Sequence, residues 1–241
     1  MFFAALLLAL VSITLNIVLY SQLKRYYTHL YAVELDPLGL EYYRDAHALP
    51  AVQGARSVVF FGDSRAAQWT EPTLPGFTFS NRGIGNQTTA QVLNRFDEHI
   101  VPLHPNVIIL QVGINDLKTI PLFPGRKAEI ISNCKENIRQ IVERSLETGS
   151  IVVITTIFPI GDVPMQRRLV WSDDIDKARV DVNEYIKSLA AENVFIFDSA
   201  ALLSDSNGKI KPEYGYDTLH LNPAGYDVLN LKLTKLLETT K

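Results

Sequence analysis

Four separated clusters in this chain hold the groups that nucleophilic attack on an ester carbonyl requires: Gly62-Asp63-Ser64, Asn81-Arg82-Gly83-Ile84-Gly85-Asn86, Gly113-Ile114-Asn115-Asp116 and Asp217-Thr218-Leu219-His220. Between them they offer a nucleophile, oxyanion donors, a base and an acid to orient that base. Ser64 closes the run Val58-Val59-Phe60-Phe61-Gly62-Asp63. A serine where a strand ends and a helix begins can present its hydroxyl above the sheet, and its own N–H belongs to the amides left free at a helix start. His220 supplies an imidazole that must be neutral, with one nitrogen accepting from the serine while the other donates to a carboxylate. Asp217, three residues earlier, is close enough in sequence to be that carboxylate. Gly83 and Asn115 each follow a strand, so a backbone N–H and a side-chain amide can converge with the Ser64 N–H on a developing oxyanion. Taken singly, each signal is weak. Ser caps helices, Gly83 and Gly85 permit positive φ, Asn115 can brace its own turn, and a surface Asp-x-x-His gives the same letters.

The elements that must position these groups are legible from periodicity. Short apolar runs at 57–61, 77–79, 107–112, 151–155 and 194–197 read as strands, several too continuously apolar for a sheet with one face in water. Amphipathic stretches at 88–100, 128–146, 174–189 and 224–237 read as helices. The last has a defined start, with Asn222 as cap and Pro223 at the first helical position. Strands alternating with helices of this length predict a parallel sheet covered on both faces, with ligands at the carboxyl ends of the strands. Two proline-marked loops, 120–126 and 158–170, lie at strand ends and are candidates for shaping a cleft. Arg167 and Arg168 in the second read as solvated surface. Asp116 reads as a group that bonds neighbouring loop amides, with substrate contact as its other candidate role.

The 241 residues, 47% of them apolar, suffice for one domain and an appendage. The appendage comes first. Residues 2–20 carry no charged side chain, and Ser12, Thr14 and Asn16 are the interior polar groups, so a helix there can cross a bilayer. Against a cleaved signal, no Lys or Arg precedes the segment and no small-x-small site follows Tyr20. An uncleaved anchor over 1–20, a juxtamembrane connector over 21–55 and a catalytic domain over 56–241 are therefore expected. Of the other histidines, His29 and His47 fall in the connector, and His99 and His104 flank Pro102. The single Cys134 recurs with Ile131, Ile138 and Ile141 at helical spacing and reads as a core thiol. A net charge of −3 without a basic run gives no footprint for nucleic acid.

Four blocks in this order and spacing resemble the SGNH hydrolase superfamily, the GDSL-type lipases and esterases, over about residues 56–240. The resemblance implies a three-layer α/β/α, flavodoxin-like sandwich with a mostly parallel five-stranded sheet. It implies Ser64 as nucleophile and first oxyanion donor, Gly83 as backbone donor, Asn115 as side-chain donor, His220 as base and Asp217 as its orienting acid. Neither metal nor organic cofactor is required by this chemistry, and no closely spaced ligand cluster suggests zinc. Arg65 stands where the family name has Leu, and its charge has two candidate roles, substrate contact or pairing with a neighbouring acid. A small-acyl esterase or acetylesterase is favoured, acting on acetylated carbohydrate or lipid. The alternatives are a lysophospholipase or thioesterase, an acyltransferase with the same triad, and a membrane-tethered carbohydrate-binding protein without turnover. The resemblance places the domain outside the cytoplasm, whereas Lys24 and Arg25 after the apolar segment favour the cytoplasm under the positive-inside rule. Cleavage of the segment would make the protein secreted.

Overall fold

The computed structural model describes residues 2–44 and 52–240, so His47 and residues 45–51 of the connector lie outside the described residues. The chain divides into two compact units, Met1–Glu41 and Tyr42–Lys241. The first is dominated by helix α1, Phe2–Leu35, in which no residue is buried. At 1.5 Å per residue its 34 residues span about 51 Å. The helix therefore continues well beyond residue 20, through the first part of the expected connector, because no glycine or proline interrupts the chain before Pro37. Its polar side chains bond back to the backbone: Thr14 Oγ1 donates to Leu10 O at 2.9 Å, Asn16 Nδ2 to Ser12 O at 2.8 Å, and Ser21 Oγ to Ile17 O at 2.9 Å. By length and composition the helix is long and apolar enough to cross a bilayer, and these bonds satisfy its polar side chains internally.

The second unit runs β1 (Arg56–Gly62), α2 (Ser64–Ala67), β2 (Phe77–Gly83), α3 (Thr89–Asn94), α4 (Phe96–His99), β3 (Val107–Gln111), α5 (Ile114–Leu117), α6 (Lys127–Glu147), β4 (Ile151–Thr155), α7 (Asp174–Ser188), β5 (Val194–Phe197), α8 (Ser199–Leu203) and α9 (Pro223–Thr239). All five strands are parallel, in the order β2-β1-β3-β4-β5. This is the flavodoxin-like order, and its switch point lies between β1 and β3, where ligands bind beyond the strand ends. The expected α/β/α sandwich and its five strands are thus present. β2 extends four residues past the apolar run, to Gly83, because the polar Ser80-Asn81-Arg82 still pairs in register with Val59-Phe60-Phe61. The expected helix 88–100 is broken at Arg95, whose φ −98 and ψ 7 end α3 and begin α4.

Successive strand residues point to opposite faces, and each face has its own core. Val59, Phe61, Ile108, Leu110, Val152 and Ile154 pack on one side with Ile138, Ile141 and Val182 from α6 and α7. On the other, Val58, Phe60, Val107, Ile109 and Val153 meet Trp69, Leu203 and the α9 residues Leu229, Leu233 and Leu237. Burial of each such side chain contributes about 1.5–3 kcal/mol, and burial of both faces explains the unbroken apolar runs of β1 and β3. Cys134 belongs to the first core, and burial raises its thiol pKa well above the ordinary value, as a core thiol requires.

Candidate active site

The end of β1 is a sharp turn that the sequence makes possible locally. Gly62 has φ +151, and a Cβ there would fall 1.9 Å from Gln111 O of β3, so only glycine fits. Asp63 N then donates to Gln111 O at 3.1 Å, and Asp63 caps α2 by accepting from Arg65 N at 2.9 Å. Ser64 is the first residue of α2. Asp63 is fully buried and its Oδ2 has no partner; burial raises its pKa to about 6 against the opposing Arg65 charge and the Arg65 N–H.

His220 reaches this turn from the loop before α9. Its Nε2 lies 3.0 Å from Ser64 Oγ, and its Nδ1 lies 2.9 Å from Asp217 Oδ2 and 3.0 Å from Oδ1. With Nδ1–H donating to the carboxylate, the Nε2 lone pair is left to accept the serine proton, a tautomer fixed by the hydrogen-bond pattern. Asp217 is held below the ordinary carboxylate range. Burial pushes it up, but donation from the His220 ring and from the Leu219 and His220 N–H groups outweighs that push. The loop itself is clamped. Gly161 N donates to Thr218 O at 2.9 Å, Thr218 Oγ1 to Asp162 O at 2.9 Å, and Asn222 N to Tyr214 O at 2.9 Å.

Arg65 closes the clamp, which corrects the substrate-contact role open to it in the sequence; of the acid-pairing role it keeps the mutual charge stabilisation with Asp63. It is fully buried, and its guanidinium donates to the carbonyls of Leu219 (2.8 Å), Phe158 (3.2 Å) and Pro159 (3.4 Å), over the Phe158 ring at 5.2 Å. Enclosed in this way, it does not face substrate, and its charge meets that of Asp63 without a direct side-chain contact; it ties α2 to Leu219, the residue beside His220. Asp116 is likewise unavailable for substrate. Its Oδ2 accepts from Thr89 N at 2.9 Å and its Oδ1 from Thr89 Oγ1 at 2.6 Å, so it bonds the first amide of α3, the first of its two expected roles.

Asn115, buried in α5 beyond β3, directs Nδ2 to Gln87 O at 2.9 Å and retains a second amide hydrogen. Gly113 admits this turn with φ +115, where a Cβ would press to 2.7 Å from Ile157 Cδ1. Gly83 does not stand as a donor. Its N–H is committed to Asn81 Oδ1 at 2.8 Å, and a Cβ on it would lie 2.1 Å from Ala67 N, so glycine here lets α2 pack on β2. Just beyond, the exposed turn Gly85-Asn86 has Asn86 at φ +68, with its side chain accepting from Lys118 Nζ at 2.5 Å. The sequence reading also passed over Arg95, whose one visible signal was its position in the middle of an expected helix.

A five-stranded parallel sheet of this order, with Ser64, His220 and Asp217 hydrogen-bonded in line beyond β1, is the arrangement of an SGNH-type hydrolase. The chain belongs to the GDSL-like lipase/acylhydrolase family, whose sequence profile matches residues 52–228. Among solved structures it resembles a GDSL-like lipase from Bacteroides thetaiotaomicron VPI-5482 at 22% identity and TM-score 0.65, covering 85% of this chain and 99% of that one. A member of the lipolytic G-D-S-L family from Veillonella parvula matches at 20% and 0.59, covering 76% and 99%. An acetyl-xylooligosaccharide esterase mutant from Geobacillus stearmophilus matches at 17% and 0.57, covering 76% and 94%. At these identities the likenesses carry the fold alone. No protein with a curated description matches the sequence.

Proposed function

We propose that this protein is a membrane-anchored esterase that removes small acyl groups through a covalent Ser64 intermediate. The observation that carries the reading is the unbroken relay from Ser64 Oγ through His220 to Asp217, at 3.0 and 2.9 Å. His220 Nε2 takes the Ser64 proton as Oγ attacks the ester carbonyl carbon. The tetrahedral oxyanion accepts from Ser64 N–H, from the second Asn115 amide hydrogen and from the backbone of the Gly85-Asn86 turn, which takes over the part expected of Gly83. Collapse breaks the carbonyl carbon–alkoxide bond, and the proton on Nε2 leaves with the alcohol. Water then attacks the acyl-enzyme, gives its proton to Nε2, and the acid departs as Oγ recovers that proton.

A cleft of about 820 Å³ lies beside the loop that carries Asp217 and His220, lined by neither of them nor by Ser64, and we assign it to a saccharide as the alcohol half. Its lining includes Trp171, Arg168, Asp173, Asp176, Asn207 and Lys209, and its Gly161-Asp162 wall is bonded to Thr218 between the acid and the base. An aromatic side chain among mixed donors and acceptors matches a surface of alternating C–H and O–H groups.

The deciding experiment is hydrolysis of p-nitrophenyl acetate, butyrate and octanoate by the full-length chain in detergent, beside S64A. Turnover fastest on acetate and lost in S64A is expected. Equal inactivity of both proteins on every ester would overturn the reading in favour of the binding role.

A further inference from the structure

We propose that Arg95 is a positioning residue for the ester chemistry, fixing the nucleophile turn and the oxyanion side of the site relative to one another from beneath. The proposal rests on the serine-esterase reading for its catalytic consequence, but its geometry stands apart from it. Arg95 is fully buried at the junction of α3 and α4, and all three of its guanidinium nitrogens are engaged. Nη2 donates to Gly62 O at 2.8 Å, and Nε donates to Gln87 Oε1 at 2.5 Å. Nη1 lies 3.0 Å from His99 Nδ1, which must be the acceptor because a guanidinium only donates. The cation lies over the Phe61 ring at 4.5 Å.

Two of those partners lead directly to the reacting groups. Gly62 O is the carbonyl of the peptide that enters Asp63-Ser64, and it also accepts from Ile84 N at 3.0 Å. Gln87 accepts Asn115 Nδ2 on its main-chain oxygen at 2.9 Å while its side chain accepts from Arg95. A continuous path therefore runs from Asn115 through Gln87, Arg95 and Gly62 to Ser64, crossing three sequence blocks that no strand pairing joins in this way. The nucleophile side and the oxyanion side can drift apart if any link in it lengthens.

The residue type supports the assignment. Burying a cation that has no carboxylate partner is unfavourable, and a Leu or Met of similar length would fill the space without that penalty. Burial does lower the Arg95 pKa, to about 9, but the group remains charged at neutral pH. What an aliphatic residue cannot do is span Gly62 O and Gln87 Oε1 with donors fixed in one plane. Lysine cannot do it either, because its single ammonium has no rigid fork.

The test compares R95K, R95M and Q87M with wild type in the full-length chain. Q87M removes one acceptor while leaving Arg95 itself, and so remains informative if the arginine variants fail to fold. For p-nitrophenyl acetate we expect kcat to fall about 10- to 100-fold in R95K, further in R95M and about 3- to 10-fold in Q87M, with KM within about twofold. Labelling of Ser64 by a fluorophosphonate, counted per folded molecule, should slow by the same factors. Independently of turnover, NMR of the full chain should show the Ser64 backbone amide and the Asn115 side-chain amide shifting in R95K, while core resonances on the opposite side of the sheet stay in place. Folded variants with kcat within twofold of wild type, or with KM raised and kcat unchanged, would overturn the proposal. Should wild type itself cleave no ester, the functional reading fails, and unmoved Ser64 and Asn115 resonances in R95K would separately overturn the positioning role.

Discussion

The two flanks of Ser64 are held by the same device used over very different reaches. On the base side, Arg65 extends from the residue after the nucleophile to Leu219 O, 154 residues away, and to the 158–159 loop. On the oxyanion side, Arg95 bonds Gln87, eight residues away, and Gly62, 33 away. Each guanidinium is fully buried and lies over an aromatic ring; Arg65 donates to three main-chain carbonyls, Arg95 to one main-chain carbonyl and two side chains. A buried arginine can thus serve as a multi-point staple for backbone and side chains, with charge-assisted hydrogen bonds that offset part of its desolvation. The difference in reach implies a difference in failure. Losing the long staple should free a whole loop, while losing the short one should misalign donors that remain folded.

The largest effect is expected at Asn115, the proposed oxyanion donor on the side of the short staple. Replacing Asn115 by Ala is expected to lower kcat about 10²- to 10³-fold, roughly 2.7–4 kcal/mol of transition-state stabilisation, with KM little changed. Steady-state kinetics on p-nitrophenyl acetate decide it, and a drop below threefold would remove Asn115 from the oxyanion site.

Replacing Arg65 by Met comes next, and it tests the long staple. Three carbonyls, those of Leu219, Phe158 and Pro159, lose a donor. Each buried acceptor left unsatisfied costs about 1–3 kcal/mol. Thermal unfolding should show a clear fall in Tm, and kcat should drop roughly tenfold as His220 loses its fixed distance from Ser64. Unchanged Tm with altered KM would restore the substrate-contact role to Arg65.

The smallest effect concerns Asp116, which braces α3 on the oxyanion side. Burial, opposed by the Thr89 hydrogen bonds, raises its pKa from the ordinary 3.8 to about 6. Because the folded value lies above the unfolded one, the native state binds the proton more tightly. The group's contribution to stability therefore falls as pH rises from about 4 to about 6, by about 2–3 kcal/mol. Asn does not titrate, so D116N should lose that part of the slope, while Asp63, raised to about 6 in the same way, keeps a slope of its own. Denaturant unfolding of both proteins at pH 4.5 and 7.5 measures the difference; equal slopes would mean that Asp116 is not the titrating group. At pH 8 the activity of D116N should stay within about twofold of wild type.

Local sequence determined a great deal here. Continuous apolar runs at β1 and β3, helical periodicity at α6 and α7, and the Asn222-Pro223 start of α9 each follow from neighbours a few residues apart, so the parallel sheet and its ligand edge were legible. So was the pairing of Asp217 with His220, because three residues of one turn fix it. Residue type at a strand end was a poorer guide. Gly83 looked like a free donor, yet its N–H belongs to Asn81 and its missing Cβ to the contact with Ala67. Arg65 looked like a charge for substrate or for a neighbouring acid, yet the fold encloses it and turns its donors to main-chain carbonyls. Arg95 carried no signal beyond helical spacing. Those roles depend on which backbone atoms arrive from tens to more than a hundred residues away, and a hydrogen bond is decided within a few tenths of an ångström. The sequence by itself therefore determined which chemistry the chain can carry and on which edge of the sheet. Only the tertiary structure decided which amides remain free to do it and which cations are enclosed to hold them, because burial and partnership are properties of the packed whole.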